Sequence, residues 1–551
     1  MFIKLEGGAV YDPVHGFNGE QRDIYISNGK ITRKPPAHVK IDKTYDVKGK
    51  IIMAGAIDIH THIGGGKVNI ARMMLPEDHQ NDLVYRTPKT RAGSGHVAPS
   101  TMVTGYRYAE MGYTACFEPA MLPANARQAH MEMSDIPIVD KGAYALVGND
   151  DFFLRMLAAK KDQAAISDYV GWIINATQAM AIKVVNPGGI NAFKYNQRRL
   201  DLDEENSKYN VTPRAILKTL ARAVRELGLP HPLHVHGCNL GVPGNMHTTL
   251  DTIKAIEGLP LHLTHIQFHS YGNEGPRGFS SGATRIAEAV NANPNISIDI
   301  GQVMFGQTVT ASGDTMLQYA SHWHAHPKKW VVMDIECDAG CGVVPFKYRD
   351  KSFVNSLQWA IGLELFMLVN DPWRIFLTTD HPNGAPFTSY PHLIRLLMDR
   401  TFRNEMLLTI NKDAAAATIL GSIQREYSLY EIAVITRAAP ARSLGLKNRG
   451  HLGAGAVADI TVYDNIRNKE HMFEKPVYVF KDGELVVKNG KVIKVTNGST
   501  HVLRPEYDKT LEQHLKNYFD SYQSIKMDNF RISDDEITEL GQGHIIVQPC
   551  Q

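Results

Sequence analysis

Short runs of alternating apolar and polar residues open the chain: MFIKLEGGAV, then RDIYISNGKI with its Asn-Gly turn signal, then KTYDVKGKII. This period of two predicts a small sheet over residues 1–52. The same texture returns in HLGAGAVADITVYD and KPVYVFKDGELVVKNGKVIKV, where Asp-Gly and Asn-Gly pairs interrupt runs of Val, Tyr and Phe. Strand-rich pieces on both sides of a long middle region predict one composite β-sandwich domain, built from 1–52 and 436–500.

The middle region, 53–435, has a different period. Eight apolar runs of strand length recur with helical segments between them: IIMAGAIDI, YTACFEP, AYALVGND, AIKVVNP, PLHVHG, PLHLTHIQF, ISIDIGQVMF and RIFLTTD. Strands alternating with helices predict a parallel sheet, and eight of them an α/β fold of the (β/α)8 TIM-barrel type. One outer helix is legible in detail: Thr212 as N-cap, Pro213 at the first helical position, Ile216, Leu217, Leu220, Val224 and Leu227 on one stripe, and Gly228 as stop. The stretch 306–374 between the last two strands exceeds an ordinary connection and is expected to form a lid or a subunit contact. The C-terminal extension, 501–551, is polar with one helical stretch at TLEQHLKNYFDSY, and the sequence assigns it no task.

Length agrees with this division, because 551 residues exceed the roughly 250 to 300 at which a single core stops growing. Lys+Arg 59 against Asp+Glu 57 gives a net charge of +2, which disfavours nucleic-acid or membrane-surface binding through bulk charge. No apolar run approaches the roughly 20 residues of a membrane span, and MFIKLEGGAVYDP lacks the apolar centre of a signal peptide, so a cytoplasmic protein is expected. Cys116, Cys238, Cys337, Cys341 and Cys550 are too scattered for a disulfide framework. The Cys337/Cys341 spacing suits half a metal site, but no second pair completes it.

Histidine changes the picture. There are 24, and seven fall between His231 and His269. In a barrel the chemistry belongs at the C-terminal ends of the strands. The first run ends in Asp58-Ile59-His60-Thr61-His62, and residues two apart on a strand share a face, so both imidazoles can reach one cation. Chance alone gives about one His-x-His at this composition. The sequence has four, so the pair counts because it closes a buried strand. His322, His324 and His326 lie in the polar SHWHAHPKKW and read as surface or loop residues. The fifth run offers His234 and His236, of which His236 is nearer the strand end. The sixth offers His262, His265 and His269, of which His265 sits at the strand end. The eighth ends at Asp380, which suits a metal ligand that also moves a proton. Lys183 lies inside the fourth apolar run. Burial depresses an amine's pKa, and a neutral amine can add carbon dioxide to give a metal-bridging carbamate; pairing with Glu118 is the other reading.

His-x-His on the first strand, Lys on the fourth, His on the fifth and sixth and Asp on the eighth together resemble the metal-dependent amidohydrolase superfamily. Longer stretches, GGGKVNIARMMLPEDH, KVVNPGGINAFKYN, LHVHGCNLGVPGN, THIQFHSYG and TTDHPNGAPFTSYPHLIRLLMDR, are similar to the A subunits of formylmethanofuran dehydrogenase and of the bacterial formyltransferase/hydrolase complex. The resemblance covers nearly the whole chain. It implies two zinc ions bridged by N6-carboxylated Lys183, with His60, His62, His236, His265 and Asp380 as further ligands and Asp380 as proton shuttle. It also implies other subunits as partners, and interconversion of a formyl amide with formate plus methanofuran or methylofuran. Such coenzymes carry anionic, glutamate-containing tails, so Lys67, Arg72, Lys194, Arg198 and Arg199, in loops after the first and fourth strands, are candidate contacts, as is Asn191. Arg72 and Asn191 lie within the matching stretches. Two other functions compete: a cyclic-amide hydrolase of the dihydropyrimidinase type, and a non-catalytic assembly subunit. The presence of all six ligands argues against the second, and no cysteine motif provides for an iron–sulfur cluster.

Overall fold

The structure is a computed structural model that describes residues 1–80, 82–194, 197, 200–275, 277–311, 343–541 and 543–550. Cys337, Cys341, His322, His324, His326, Arg198 and Arg199 lie outside the described residues, and so do the side chains of Asn191 and Lys194. Among the described residues, Cys116, Cys238 and Cys550 form no disulfide.

All eight expected barrel strands form: Ala56–Asp58, Tyr113–Met121, Asp140–Leu146, Ala181–Val185, Leu233–His236, Leu261–Leu263, Ile296–Asp299 and Ile375–Phe376. They pair in parallel and in chain order. A parallel bridge between Thr61 and His381 joins the last to the first, with the His62 N–H donating to the His381 carbonyl at 2.9 Å. The helix expected after Thr212 spans Pro213–Glu226 and buries Ile216, Leu217, Leu220 and Val224 against the barrel; the Thr212 hydroxyl accepts from the Ala215 N–H. An amphipathic stripe that covers a sheet face in this way is the main source of such a helix's stability.

The first apolar run is not one strand. Lys50–Ala54 pairs antiparallel with Ile460–Asp464 (Ala54 opposite Ile460) and parallel with Phe2–Asp12, whereas Ala56–Asp58 enters the barrel. The break falls at Gly55, where a Cβ would stand 2.2 Å from Thr114 Oγ1. A run buried on both faces does not reveal which sheet each half will join. Strands from the two chain ends form one nine-stranded sheet. Its core takes Leu5, Val10, Ile24 and Ile52 from one end and Ile460, Val462 and Phe480 from the other.

The 306–374 stretch divides into parts. Gly306–Ala311 pairs antiparallel with Val343–Tyr348, and Phe353–Leu368 is a helix buried along most of its length, part of the barrel's own outer layer. The C-terminal extension is tied to the barrel. Thr500–Leu503 lies parallel to the start of the third strand (Thr500 opposite Lys141), Ile545–Gln548 lies beside it, and the predicted helix spans Leu511–Tyr522. A buried charge cluster fastens this junction. Asp140 Oδ2 takes Arg449 Nε at 2.6 Å and His501 Nε2 at 3.2 Å, and Asp140 Oδ1 takes Lys481 Nζ at 3.1 Å. Barrel, two-ended sheet and extension therefore meet on one carboxylate.

Candidate metal centre

At the opposite, C-terminal face of the barrel, His60 and His62 follow the first strand and Asp380 follows the eighth. Asp380 Oδ1 stands 2.9 Å from His60 Nε2 and 3.3 Å from His62 Nε2, and all three residues are buried. The other ring nitrogens are held from behind. His62 Nδ1 faces Glu118 Oε1 at 3.0 Å, and His60 Nδ1 faces His234 Nε2 at 2.9 Å and Thr264 Oγ1. Each imidazole is thereby oriented with Nε2 toward Asp380, the arrangement in which a metal ligand is fixed by what its second nitrogen bonds.

A second donor group lies beside the first. His236 ends the fifth strand, and after the sixth His265 precedes and His269 closes the short turn Ile266–His269; one ligand nitrogen from each falls within 4.8 Å of the others. His236 and His265 stack edge-to-face with centroids 4.7 Å apart. Burial holds both rings well below the usual imidazole pKa, in the neutral form a metal requires. In the first group, burial and the Lys183 charge pull His60 down, but Asp299 and Asp380 outweigh them and leave its pKa raised. A pocket of this kind favours added positive charge.

Lys183 acts electrostatically on both groups. It is buried on the fourth strand with His234 opposite it in register, and its charge acts on His60 on one side and on His236, His265 and His269 on the other. Burial lowers its amine to about 8, partly opposed by Asp380. The pairing with Glu118 is not what forms. The Glu118 oxygens are engaged by His62 and by the N–H groups of Ile63, Gly64 and Ala120. Lys141 is equally buried and also lowered to about 8, yet it begins the third strand, where its ammonium donates to the Ile136 carbonyl at 2.9 Å. Position along the strand, and not the depressed pKa, separates the two lysines.

Two of the site-forming residues adopt backbone angles seldom used by residues with side chains. His265 has φ 35° and Asp380 φ 50°, and Gly301 (φ 64°) lies so close that a Cβ there would be 2.4 Å from the His265 Cβ. Left-handed conformations at strand ends are a mark of functional constraint. The Asp299 carboxylate holds this corner, accepting from the His265 N–H at 2.8 Å and the Thr378 hydroxyl at 3.1 Å, and facing His262 Nε2 at 2.9 Å.

Of the expected substrate contacts, Lys67 is half-buried on the helix Gly66–Met74, and its charge reaches Lys183 and His236. Arg72 on the same helix is engaged locally, donating to the Pro99 carbonyl at 3.0 Å and to Asn69 at 2.9 Å. Asn191 and Lys194 lie on the short helix Gly189–Lys194 after the fourth strand.

The model of the Amidohydrolase family matches residues 43–493. The chain belongs to the amidohydrolase family. Among curated amidohydrolase relatives, the A subunit of the formyltransferase/hydrolase complex Fhc of Methylorubrum extorquens is 40% identical over 546 residues, 98% of each chain. Protein FwdA of Methanocaldococcus jannaschii is 41% identical over 554 residues, 96% of each. A chain in the X-ray crystal structure of the formyltransferase/hydrolase complex (FhcABCD) from Methylorubrum extorquens, in complex with methylofuran, superposes with a TM-score of 0.93 at 39% identity, covering 100% of both chains. Among the described residues of this amidohydrolase, no helix is long and apolar enough to cross a membrane.

Proposed function

We propose that this amidohydrolase is the hydrolytic component of a formyltransferase/hydrolase-type complex. It interconverts N-formylmethanofuran or formylmethylofuran with formate and the free furfurylamine coenzyme. The observation that carries the reading is the convergence of two buried donor groups on either side of Lys183, in a chain 40% identical, over 98% of its length, to the relative that serves an Fhc complex.

The donor set fits two zinc ions. His60, His62 and Asp380 would hold one, His236 and His265 the other, and Lys183, carboxylated on Nζ, would bridge them. Bound there, zinc supplies Lewis acidity toward the formyl oxygen and acidifies water to a pKa of about 7. The chain's own residues do the rest. Water adds its oxygen to the formyl carbon as Asp380 accepts its proton. The C–N bond then breaks, and Asp380 returns that proton to the departing amine nitrogen. Asp380 suits this because its contacts with His60, His62 and Asn383 all fall on Oδ1. Glu118 and His234 keep His62 and His60 from turning. Lys67 at the mouth, with Arg72, Asn191 and Lys194, receives the anionic tail of the coenzyme.

Purification of the chain with its copurifying partners, followed by zinc analysis and measurement of formate release from the formylated coenzyme, tests the reading. Two zinc ions per chain and formate release are expected in the wild type, with both lost in Lys183→Ala. Full activity and two ions in Lys183→Ala would remove the bridging role. Turnover of hydantoin or dihydrouracil in place of the formyl coenzyme would make the chain a cyclic-amide hydrolase.

A further inference from the structure

We infer that His269 is a third imidazole ligand at the second ion, so that the two metal positions are chemically unequal. The inference rests on the binuclear reading above and adds to it a residue that strand position does not select. His269 lies one helical turn beyond His265, with ring centroids 5.4 Å apart, and 5.2 Å from His236. Its ligand nitrogen is within 4.8 Å of those of both partners.

The ring is placed by its backbone. Thr249 Oγ1 donates to the His269 carbonyl at 2.7 Å, and Asn245 Nδ2 to the neighbouring Phe268 carbonyl at 2.7 Å. Asn245 Oδ1 also accepts from the Tyr271 N–H at 2.9 Å, so the turn is pinned on both sides of the histidine. Such support from a neighbouring helix preorganises a ligand before the ion arrives. Both of its ring nitrogens are buried, with no hydrogen-bond partner among the described residues. A buried imidazole with neither nitrogen engaged, set beside two further imidazoles, calls for a ligand, and a cation shared by the three supplies one.

Three buried imidazoles with no carboxylate among them form a group unlike the first. His60, His62 and Asp380 offer two nitrogens and an anionic oxygen, whereas His236, His265 and His269 offer three neutral nitrogens. With one carbamate oxygen from Lys183 the second position reaches four donors without any other residue. A nitrogen-rich set favours zinc, cobalt and nickel over magnesium or manganese.

Metal content and the visible spectrum of the cobalt(II)-loaded protein test this in the full chain purified with its partners. His269→Ala should fall from two ions per chain to one. His269→Cys should keep two and, with cobalt, gain a near-ultraviolet thiolate-to-metal charge-transfer band, which a residue of merely structural importance would not produce. Retention of two ions and an unchanged cobalt spectrum in His269→Ala would overturn the inference, as would absence of the band in a folded His269→Cys. Should His269→Ala fail to fold, the cysteine variant decides. Loss of one ion in His269→Ala while Lys183→Ala keeps both would sink the bridging role and leave His269 a ligand.

Discussion

Glu118→Gln is a near-isosteric change at a buried position, and its consequence can be worked out atom by atom. Glu118 Oε1 accepts from the Ala120 N–H at 3.0 Å and faces His62 Nδ1 at 3.0 Å, while Oε2 accepts from Ile63 at 2.7 Å and Gly64 at 3.1 Å. A glutamine replaces one of these oxygens by an NH2 group. Turned toward the backbone, the amide leaves two buried N–H groups without an acceptor, at about 1–3 kcal/mol each. Turned toward His62, it orphans only Ala120 and donates to His62 Nδ1, which must then carry its proton on Nε2. The second orientation costs less, and it points an N–H instead of a lone pair at the metal position. The expected outcome is a folded variant, destabilised by about 1–3 kcal/mol. Its metal affinity should be about 10- to 100-fold weaker, roughly 1.4–2.7 kcal/mol. Competition with a chromophoric chelator measures the affinity, and 15N shifts of the imidazole report the tautomer. Burial pushes the Glu118 carboxyl up, but His62 and the Gly64 and Ile63 N–H groups hold it below its ordinary value. Its contribution to stability is therefore present above the unfolded pKa of about 4.3 and is lost as pH falls toward the folded one, a loss the glutamine variant should not show. Wild-type metal affinity with His62 Nε2 still unprotonated would refute the reasoning.

Asp380→Asn should retain bound metal in part and lower formate release by about 10²- to 10⁴-fold, the range for removing a group that transfers protons; unchanged release would move the proton to another residue. Asp140→Asn, far from the site, should leave the metals in place and cost about 3–5 kcal/mol, because Arg449 and Lys481 stay buried with one partner fewer. Burial alone would raise Asp140, but Arg449, Lys481 and His501 hold it well below the usual carboxylate range. Its stabilisation is thus complete above about pH 4 and fades as the solution is acidified further. Thermal unfolding of wild type and variant between pH 3 and 7 should show a gap that is constant above about pH 4 and narrows below it.

Much of the candidate site is legible in the sequence because its donor side chains stand where strands end. His60, His62, His236 and Asp380 follow apolar runs, so the barrel pattern alone orders them around one face. His269 escapes that logic, since it lies beyond a turn and is brought back by Asn245 and Thr249, residues whose side-chain bonds leave no periodic trace. Glu118 is visible as a buried acid, but the choice between Lys183 and His62 as its partner depends on register across two strands. Gly55 shows the same limit in the scaffold: a single run, residues 51–59, conceals a passage between two sheets. The strand Thr500–Leu503 is hidden because its partner Lys141 lies some 360 residues earlier, and local pattern carries no information about such distant pairing.

The sheet that joins the two chain ends sets a timetable for biosynthesis. Ala54 lies opposite Ile460, so roughly 400 residues must be translated before that pairing can form, a delay of about 20–80 s at 5–20 residues per second. Throughout that interval the nascent N-terminal strands lack Ile460, Val462 and Phe480, against which their own core closes. These strands consequently leave the ribosome long before their sheet can be completed, and it is there that chaperones would be needed during synthesis.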